Sequence, residues 1–335
     1  MPETNTTVRL KQRPTGMPDA STWAIASEAP RAPADGEVLI KVAYVSLDPA
    51  MRGWLNEGKS YIDPVGIGDV MRAGGVGEVI ESADERLKPG TWVYAGTGVQ
   101  QYATLRAKEC TPIDVTLAPP QRWLGDLGMP GMTAYFGILE VGALKDGEVV
   151  VVSAAAGAVG ALVGQIAKIK GCTVIGIAGG PDKCREVVET LGFDACIDYK
   201  NESVPARLKE LCPEGLDVYF DNVGGEILEA CMGRLKKGAR IVICGAISGY
   251  NDFAKIQSPR NYLNLLVCRA RMEGFVVFDY AKRYPEAVKQ LLTWMQAGQI
   301  TSREHVEEGI SRFPEVLTML FTGANKAKLV LKVAA

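Results

Sequence analysis

The 335 residues predict an α/β protein: a doubly wound parallel sheet with a β-rich region outside it. Three observations carry this. From Glu148 onward, apolar runs alternate five times with helical patterns, the signature of a parallel sheet covered on both faces. A glycine-rich turn follows the four valines that open this region. The first 125 residues instead carry short β-like runs punctuated by Gly and Pro, which suggests an irregular β domain. At about 150 residues per domain, the length corresponds to roughly two domains.

In the first region, the run from Val38 to Val45 reads as a strand, as do Gly75 to Ile80 and Thr91 to Tyr94, separated by turn signals such as Lys88-Pro89-Gly90. Met129 to Val141 reads as a helix, with Pro130 suited to its first turn. The alternation follows: EVVVVS and a helix over 157–170, TVIGIA and 182–191, ACIDY and 203–212, LDVYFDNV and 225–236, then ARIVICG. A sixth strand from Met272 to Phe278 and a helix over roughly 281–297 close the unit. The tail returns to β character, with a strand from Arg303 to Glu308, a helix near 312–322 and a strand from Ala327 to Val333. It is expected to pack back on the first domain. No solenoid-type repeat is visible.

Composition narrows the function. Hydrophobic residues make up 47% and charged residues 23%, which is ordinary globular composition. A net charge of −2 leaves no basic excess for phosphate-backbone contacts, so a nucleic-acid partner is not expected. His305 is the one histidine, and the eight cysteines come no closer than twelve residues apart. No zinc motif is therefore visible, and no metal is expected. The cysteines read as reduced thiols, and the N-terminus MPETNTTVRLKQRPTG has neither an apolar h-region nor a small-residue cleavage pattern. A cytoplasmic location is the expectation. The longest apolar run, Val149 to Gly164, falls short of the roughly 18–20 residues of a membrane span and changes midway from strand-like to turn- and helix-like.

The sharpest motif is Ala155-Ala156-Gly157-Ala158-Val159-Gly160. It follows a valine strand and opens a helix whose Val159, Leu162, Val163 and Ile166 can face the sheet, the context a dinucleotide fingerprint requires. Gly157 lets backbone approach a pyrophosphate at the helix N-terminus, and Gly160 permits close helix–strand packing. The alternative is a flavodoxin-like turn without that ligand. At the end of the second strand an NAD site usually has an acid, but this chain has Ala178-Gly179-Gly180-Pro181-Asp182-Lys183. Lys183 can meet a 2′-phosphate, so NADPH is favoured over NADH. Asp182 fits a helix N-cap or first turn. Tyr199 either packs on the adenosine end or is a plain surface tyrosine.

These residues resemble a family. SAAAGAVG, VGQIAKIKGC, AGGPDKC and LGFDACIDYK, with SLDPAMRG, LGMPGMTAY, YFDNVGG, CGAISGYN, MEGFVV and GANKAKLVLK, are similar to the medium-chain dehydrogenase/reductase superfamily. Within it they resemble the zinc-independent alkenal/prostaglandin reductase branch, which includes bacterial curcumin reductases. The resemblance covers nearly the whole chain. It implies a Rossmann NADP-binding domain, 126–302, inserted into a GroES-like substrate and catalytic domain, 1–125 and 303–335. It implies that Gly157, Ala158, Val159 and Gly160 hold the pyrophosphate and that Lys183 and Tyr199 sit at the 2′-phosphate. Asn222 would lie along the cofactor. Cys244, Gly245, Ala246, Ile247, Ser248 and Tyr250 would line the nicotinamide side, Phe275, Val276 and Val277 would bound its pocket, and Asn325 would reach back from the tail. Two departures stand out: Ala50 where the family often has an aromatic, and Ala327 where it often has Gly.

The implied reaction is NADPH-dependent reduction of the carbon–carbon double bond of an α,β-unsaturated ketone or aldehyde. The protein must orient the partners and aim a hydrogen-bond donor at the carbonyl oxygen, where enolate charge develops. Tyr250 is the first candidate donor and Tyr61 the second; either can instead be a tyrosine that only packs. Met51 and Arg52 are expected in the pocket wall, Arg52 meeting an anionic substrate tail or serving a structural pairing. His305 reads as structural and Cys244 as packing. Rival readings are an NADPH quinone reductase, a zinc-free alcohol dehydrogenase, and a non-catalytic NADPH-binding scaffold or regulator. The apolar run Gly274 to Phe278 is expected at the sheet edge, where a twofold axis would pair it with its own copy in a homodimer.

Overall fold

The computed structural model describes residues 4–252, 256 and 258–334. The chain divides into two compact units, Met1–Gly125 with Glu304–Ala335, and Asp126–Arg303.

In the first unit, β1 (Asn5–Leu10) and β2 (Trp23–Glu28) form an antiparallel hairpin. β3 (Glu37–Ser46), the short helix α1 (Ala50–Gly53), β4 (Gly75–Ser82), β5 (Trp92–Ala95), β6 (Tyr102–Arg106) and β7 (Thr111–Pro112) follow. β3 is the organising strand. Val38, Ile40, Val42 and Val45 are buried in the unit's core, and Trp23 meets Phe313 there edge to face at 5.1 Å. β3 pairs antiparallel with β4 along most of its length, with two register shifts. Gly77 of β4 runs so close to β3 that a Cβ would lie 2.3 Å from the Lys41 carbonyl oxygen, the close backbone approach that glycine in a strand serves.

The second unit opens with α2 (Met129–Phe136), which continues into a π-helical turn, Gly137–Val141. Then β8 (Val149–Ser153), α3 (Ala158–Ile169), β9 (Thr173–Ala178), α4 (Pro181–Glu189), β10 (Ala195–Asp198) and α5 (Val204–Leu211) alternate. β11 (Leu216–Asp221), α6 (Gly225–Met232), β12 (Leu235–Ile243), α7 (Leu263–Cys268), β13 (Arg271–Gly274) and α8 (Tyr284–Gln296) complete it. The sheet order is β10-β9-β8-β11-β12-β13 and every pairing is parallel. This is the Rossmann order, whose direction reverses between β8 and β11; ligands bind at the carboxyl ends of the strands beside that point. Among the described residues no helix is long and apolar enough to cross a membrane.

The tail returns to the first unit: β14 (Glu304–Glu308), α9 (Phe313–Thr322) and β15 (Lys328–Lys332). β15 lies between β14, parallel, and β3, antiparallel.

Three element ends differ from the sequence expectation. α6 stops at Met232, not near 236, because Gly233 caps it; β12 begins at Leu235, and a register shift accommodates Gly238 at φ +80°. The sixth strand ends at Gly274 instead of Phe278. Its partner stretch, Arg240–Ile243, offers only four positions, so the apolar residues beyond leave the sheet and Val277–Arg283 turns as a 3₁₀ helix. The hairpin of β1 and β2 is a further element that the sequence pattern does not predict.

Candidate active site

The site is built where the six parallel strands end. After Ser153, Ala154 adopts a left-handed φ of +51° and Gly157 caps α3 in extended conformation. A Cβ on Gly160 would lie 2.4 Å from the Ala154 carbonyl oxygen, so only glycine lets α3 start this close to β8. Ala158 and Val159 remain partly exposed beside it, leaving the positive helix end accessible to an anion.

Past β9, the Gly179-Gly180 turn is held by Asp198 at the end of β10. Its carboxylate accepts from Gly180 N–H at 2.7 Å, Lys200 N–H at 3.1 Å and the Asn201 amide at 2.7 Å. Burial works against that charge, but the hydrogen bonds outweigh it and hold Asp198 below its usual value. Tyr199 lies over Gly179, where a Cβ would come 2.9 Å from the phenol oxygen. Lys183, in the first turn of α4, is half-buried; desolvation and the nearby Lys200 ammonium both lower its pKa. Two ammonium groups near enough to feel each other's charge suit a dianionic phosphate. The sequence alone does not mark Lys200; only the fold brings its charge near Lys183. Asp182 points into solvent and pairs with Arg185 at 3.0 Å, consistent with a first-turn role.

At the switch point, Asp221 ties strand ends together. Its buried carboxylate accepts from Tyr219 Oη at 2.7 Å, Ser153 Oγ at 3.2 Å, and Val223 and Gly224 N–H at 3.0 and 2.8 Å. Burial raises its pKa despite these donors. Asn222 is pinned to β8 through Ser153, its N–H on Ser153 Oγ at 2.9 Å and its side-chain amide on the Ser153 carbonyl at 2.8 Å. The Asp221 carbonyl accepts from Cys244 and Gly245 N–H. Ser248 Oγ donates to the Val223 carbonyl at 2.6 Å, and Ile247 N–H reaches the Asn222 carbonyl. Tyr250 ends the 3₁₀ turn Ile247–Gly249 and curls back over its own loop. Its phenol oxygen accepts from Ala246 N–H at 3.2 Å and sits 3.0 Å from where a Cβ on Gly245 would be. Burial pushes the Cys244 thiol up to about 12, a packing thiol. After β13, the Phe275 ring lies against Gly137, beside Phe220; Val276 is half-buried and Val277 is buried.

All these residues follow the carboxyl ends of one sheet. Met51, Arg52, Tyr61 and Asn325 belong to the other unit. Met51 is fully buried in that unit's core. The Arg52 guanidinium is spent on the Gly16 and Pro14 carbonyls and on Asn56 Oδ1 at 2.6 Å, a structural pairing. Tyr61 is 56% exposed. The Asn325 amide donates to the Ala327 carbonyl at 3.0 Å, and Ala327 has φ +113°, a backbone conformation that favours glycine. His305 bonds Glu307 through Nε2 and accepts Lys326 N–H at Nδ1. In the same unit Lys328 is buried, its ammonium donating to Asp48 Oδ1 at 2.7 Å, Ser46 Oγ at 2.6 Å and the Leu47 carbonyl at 2.9 Å. Among the described residues no group of three or more His, Cys, Asp or Glu side chains is placed to hold a metal.

Residues 6–113 match a family described as the N-terminal domain of oxidoreductase, and residues 158–296 one described as zinc-binding dehydrogenase. The chain is 39% identical to the NADPH-dependent curcumin reductase of Escherichia coli over 97% of its length and 96% of that protein's. It is also 39% identical to the 2-alkenal reductase (NADP(+)-dependent) of Nicotiana tabacum, with 98% of each chain covered. The crystal structure of CurA in complex with NADPH from Vibrio vulnificus superposes with a TM-score of 0.94 at 42% identity, over 98% of this chain and 99% of that one.

Proposed function

The chain belongs to the zinc-independent branch of the medium-chain dehydrogenase/reductase family, close to bacterial curcumin reductases, and from that premise we propose that it reduces the carbon–carbon double bond of α,β-unsaturated ketones and aldehydes with NADPH. What supports this is the likeness to the curcumin and 2-alkenal reductases along nearly the whole chain, together with the glycine-tight start of α3 and the Lys200 charge felt at Lys183. Those residues fit a phosphorylated dinucleotide: the Gly157–Gly160 helix start for its diphosphate, the two lysines and Tyr199 for its 2′-phosphate, Asn222 and the 244–250 loop for its nicotinamide end. When bound, NADPH supplies the hydride for the β-carbon of the enone.

The protein's own contribution is orientation and a donor. The Tyr250 hydroxyl donates to the substrate carbonyl oxygen as that oxygen gains charge; the Ala246 N–H on its lone pair holds the phenol in place and makes its proton a better donor. Tyr61 is the second candidate donor.

The working form is a cytoplasmic homodimer. All eight cysteines are free thiols, as suits a reducing compartment. The edge strand β13 is exposed along its length, and Tyr262, Leu263, Leu266 and Val267, in the turn and helix that precede it in the chain, are each more than half exposed. A second copy pairing through β13 would cover both. Light scattering at micromolar protein should give twice the chain mass; a monomer mass refutes it.

The activity test is loss of nicotinamide absorbance with NADPH across enones, quinones and secondary alcohols, the enones reacting fastest. Tyr250→Phe should then lower single-turnover reduction by about 10²–10³-fold with NADPH affinity unchanged. A hydride step within twofold of the parent assigns the donor elsewhere.

A further inference from the structure

Two cysteines frame the residues assigned to the 2′-phosphate. Cys184 follows Lys183 directly in α4, and Cys196 lies in β10, three residues before Tyr199. Their sulfurs are 3.1 Å apart, with the Cys196 thiol donating to Cys184 Sγ. That is closer than ordinary sulfur–sulfur contact and about 1 Å from a disulfide bond length. Both side chains are partly exposed. Burial raises both thiols, but the Cys196 hydrogen bond pulls Cys184 back down and pushes Cys196 further up. Of the two, Cys184 is the sulfur on which the hydrogen bond favours charge, and it sits near the start of α4.

We propose that Cys184 and Cys196 are a reversible oxidation site, closed to a disulfide by hydrogen peroxide, that loosens the 2′-phosphate site and so ties NADPH affinity to redox state. The inference rests on the NADPH reading above. Cys184 gives up its proton and its sulfur attacks one peroxide oxygen; a sulfur–oxygen bond forms, the oxygen–oxygen bond breaks, and the departing hydroxide takes that proton and leaves as water. Cys196 gives up its proton and its sulfur attacks the Cys184 sulfenic sulfur. The sulfur–oxygen bond breaks, and the hydroxide leaves with that proton as a second water. Two thiols are oxidised by two electrons and one peroxide is reduced to two waters. A dithiol reverses the bond by exchange.

The phosphate site feels the bond because both elements that carry it are drawn together. Gly180, the residue before α4, is already held to β10 through Asp198 at 2.7 Å. Closing the sulfurs adds a second tie beyond Lys183, so the turn between must shift. Lys183 then moves relative to Tyr199 and Lys200, and a charge-assisted contact is lost within about 1 Å of displacement.

The test uses the full chain treated with stoichiometric hydrogen peroxide. Trypsin without reductant should release Cys184-Arg185 linked to the 186–200 peptide that carries Cys196, lighter than the two thiol peptides by two hydrogens. Nicotinamide fluorescence should show the dissociation constant for NADPH raised about tenfold or more, NADH unchanged, and dithiothreitol restoring the first value. Cys196→Ala, or Cys184→Ser if the former does not fold, should make NADPH affinity indifferent to peroxide. Absence of the linked peptide overturns the proposal, as does a linked protein that binds NADPH as tightly as the reduced one. If the reduced protein does not prefer NADPH over NADH, the cofactor reading fails, and the peptide mass still decides the bridge.

Discussion

Replacing Lys183 and Lys200 separately should weaken NADPH by different amounts, and burial sets the ratio. Lys183 is half-buried and its ammonium is already held at a disadvantage by desolvation and by Lys200. A phosphate arriving there meets a poorly hydrated cation, so the contact belongs with charged, sheltered hydrogen bonds of about 1.5–3 kcal/mol. At 1.4 kcal/mol per decade, Lys183→Ala should raise the NADPH dissociation constant by roughly ten- to a hundredfold. Lys200 is exposed, and its contact belongs with surface ion pairs of about 0.2–1 kcal/mol, less than about fivefold. Because Lys183 is lowered, NADPH affinity should fall as pH rises through its depressed value, earlier than for an ordinary lysine. Lys200→Ala should move that fall to higher pH by removing one cause of the shift. The assay is fluorescence titration with NADPH and NADH in parallel at two salt concentrations, since the larger effect should be the less screened. Equal weakening of both cofactors, or a larger loss from Lys200 than from Lys183, refutes the reasoning.

Gly160→Ala places a methyl 2.4 Å from a backbone oxygen; calorimetry should show a loss of about 1–3 kcal/mol together with weaker cofactor binding, and an unchanged melting temperature would contradict the close approach. Lys328→Met leaves the buried Asp48 without its ammonium and should cost about 3–5 kcal/mol in urea unfolding. Adding Asp48→Asn should recover part of that loss, and a strictly additive double variant would deny the coupling. Asp221 holds its proton more tightly folded than unfolded. Its contribution to stability is therefore fully present below the usual carboxylate value and is lost as pH rises through the raised one. Asp221→Asn removes that titration, so melting curves across pH should favour the variant increasingly as pH rises; a growing advantage for the parent would reverse the sign.

Most of the second unit is legible in the sequence because its strands are covered on both faces. Val150–Val152 and Ile175–Ile177 must be unbroken apolar runs, and the turn after Ser153 has to be small where Gly160 meets Ala154. What escapes is set by partners distant in the chain. The end of β13 depends on how many residues of β12 remain to pair with it, and GFVVF alone looks equally strand-like throughout. Lys200 is one more charge after a tyrosine until β10 and α4 are laid side by side. Cys184 and Cys196 are twelve residues apart, and no local spacing rule brings their sulfurs together. Met51 shows the converse: its place in SLDPAMRG suggests a pocket wall, while the structure spends it on the core.

The discontinuity of the first unit imposes an order on biosynthesis. The second unit is one unbroken stretch and has all its strands once residue 303 has been made. The first unit does not: β15 lies inside its sheet, against β3, yet is made nearly three hundred residues later. Until then the nascent chain carries an open β3 edge and a buried carboxylate, Asp48, whose counter-charge Lys328 has yet to leave the ribosome. A stop codon that removes only the last few strands' worth of sequence would therefore damage the N-terminal unit first, and spare the nucleotide-binding fold it encloses in the gene.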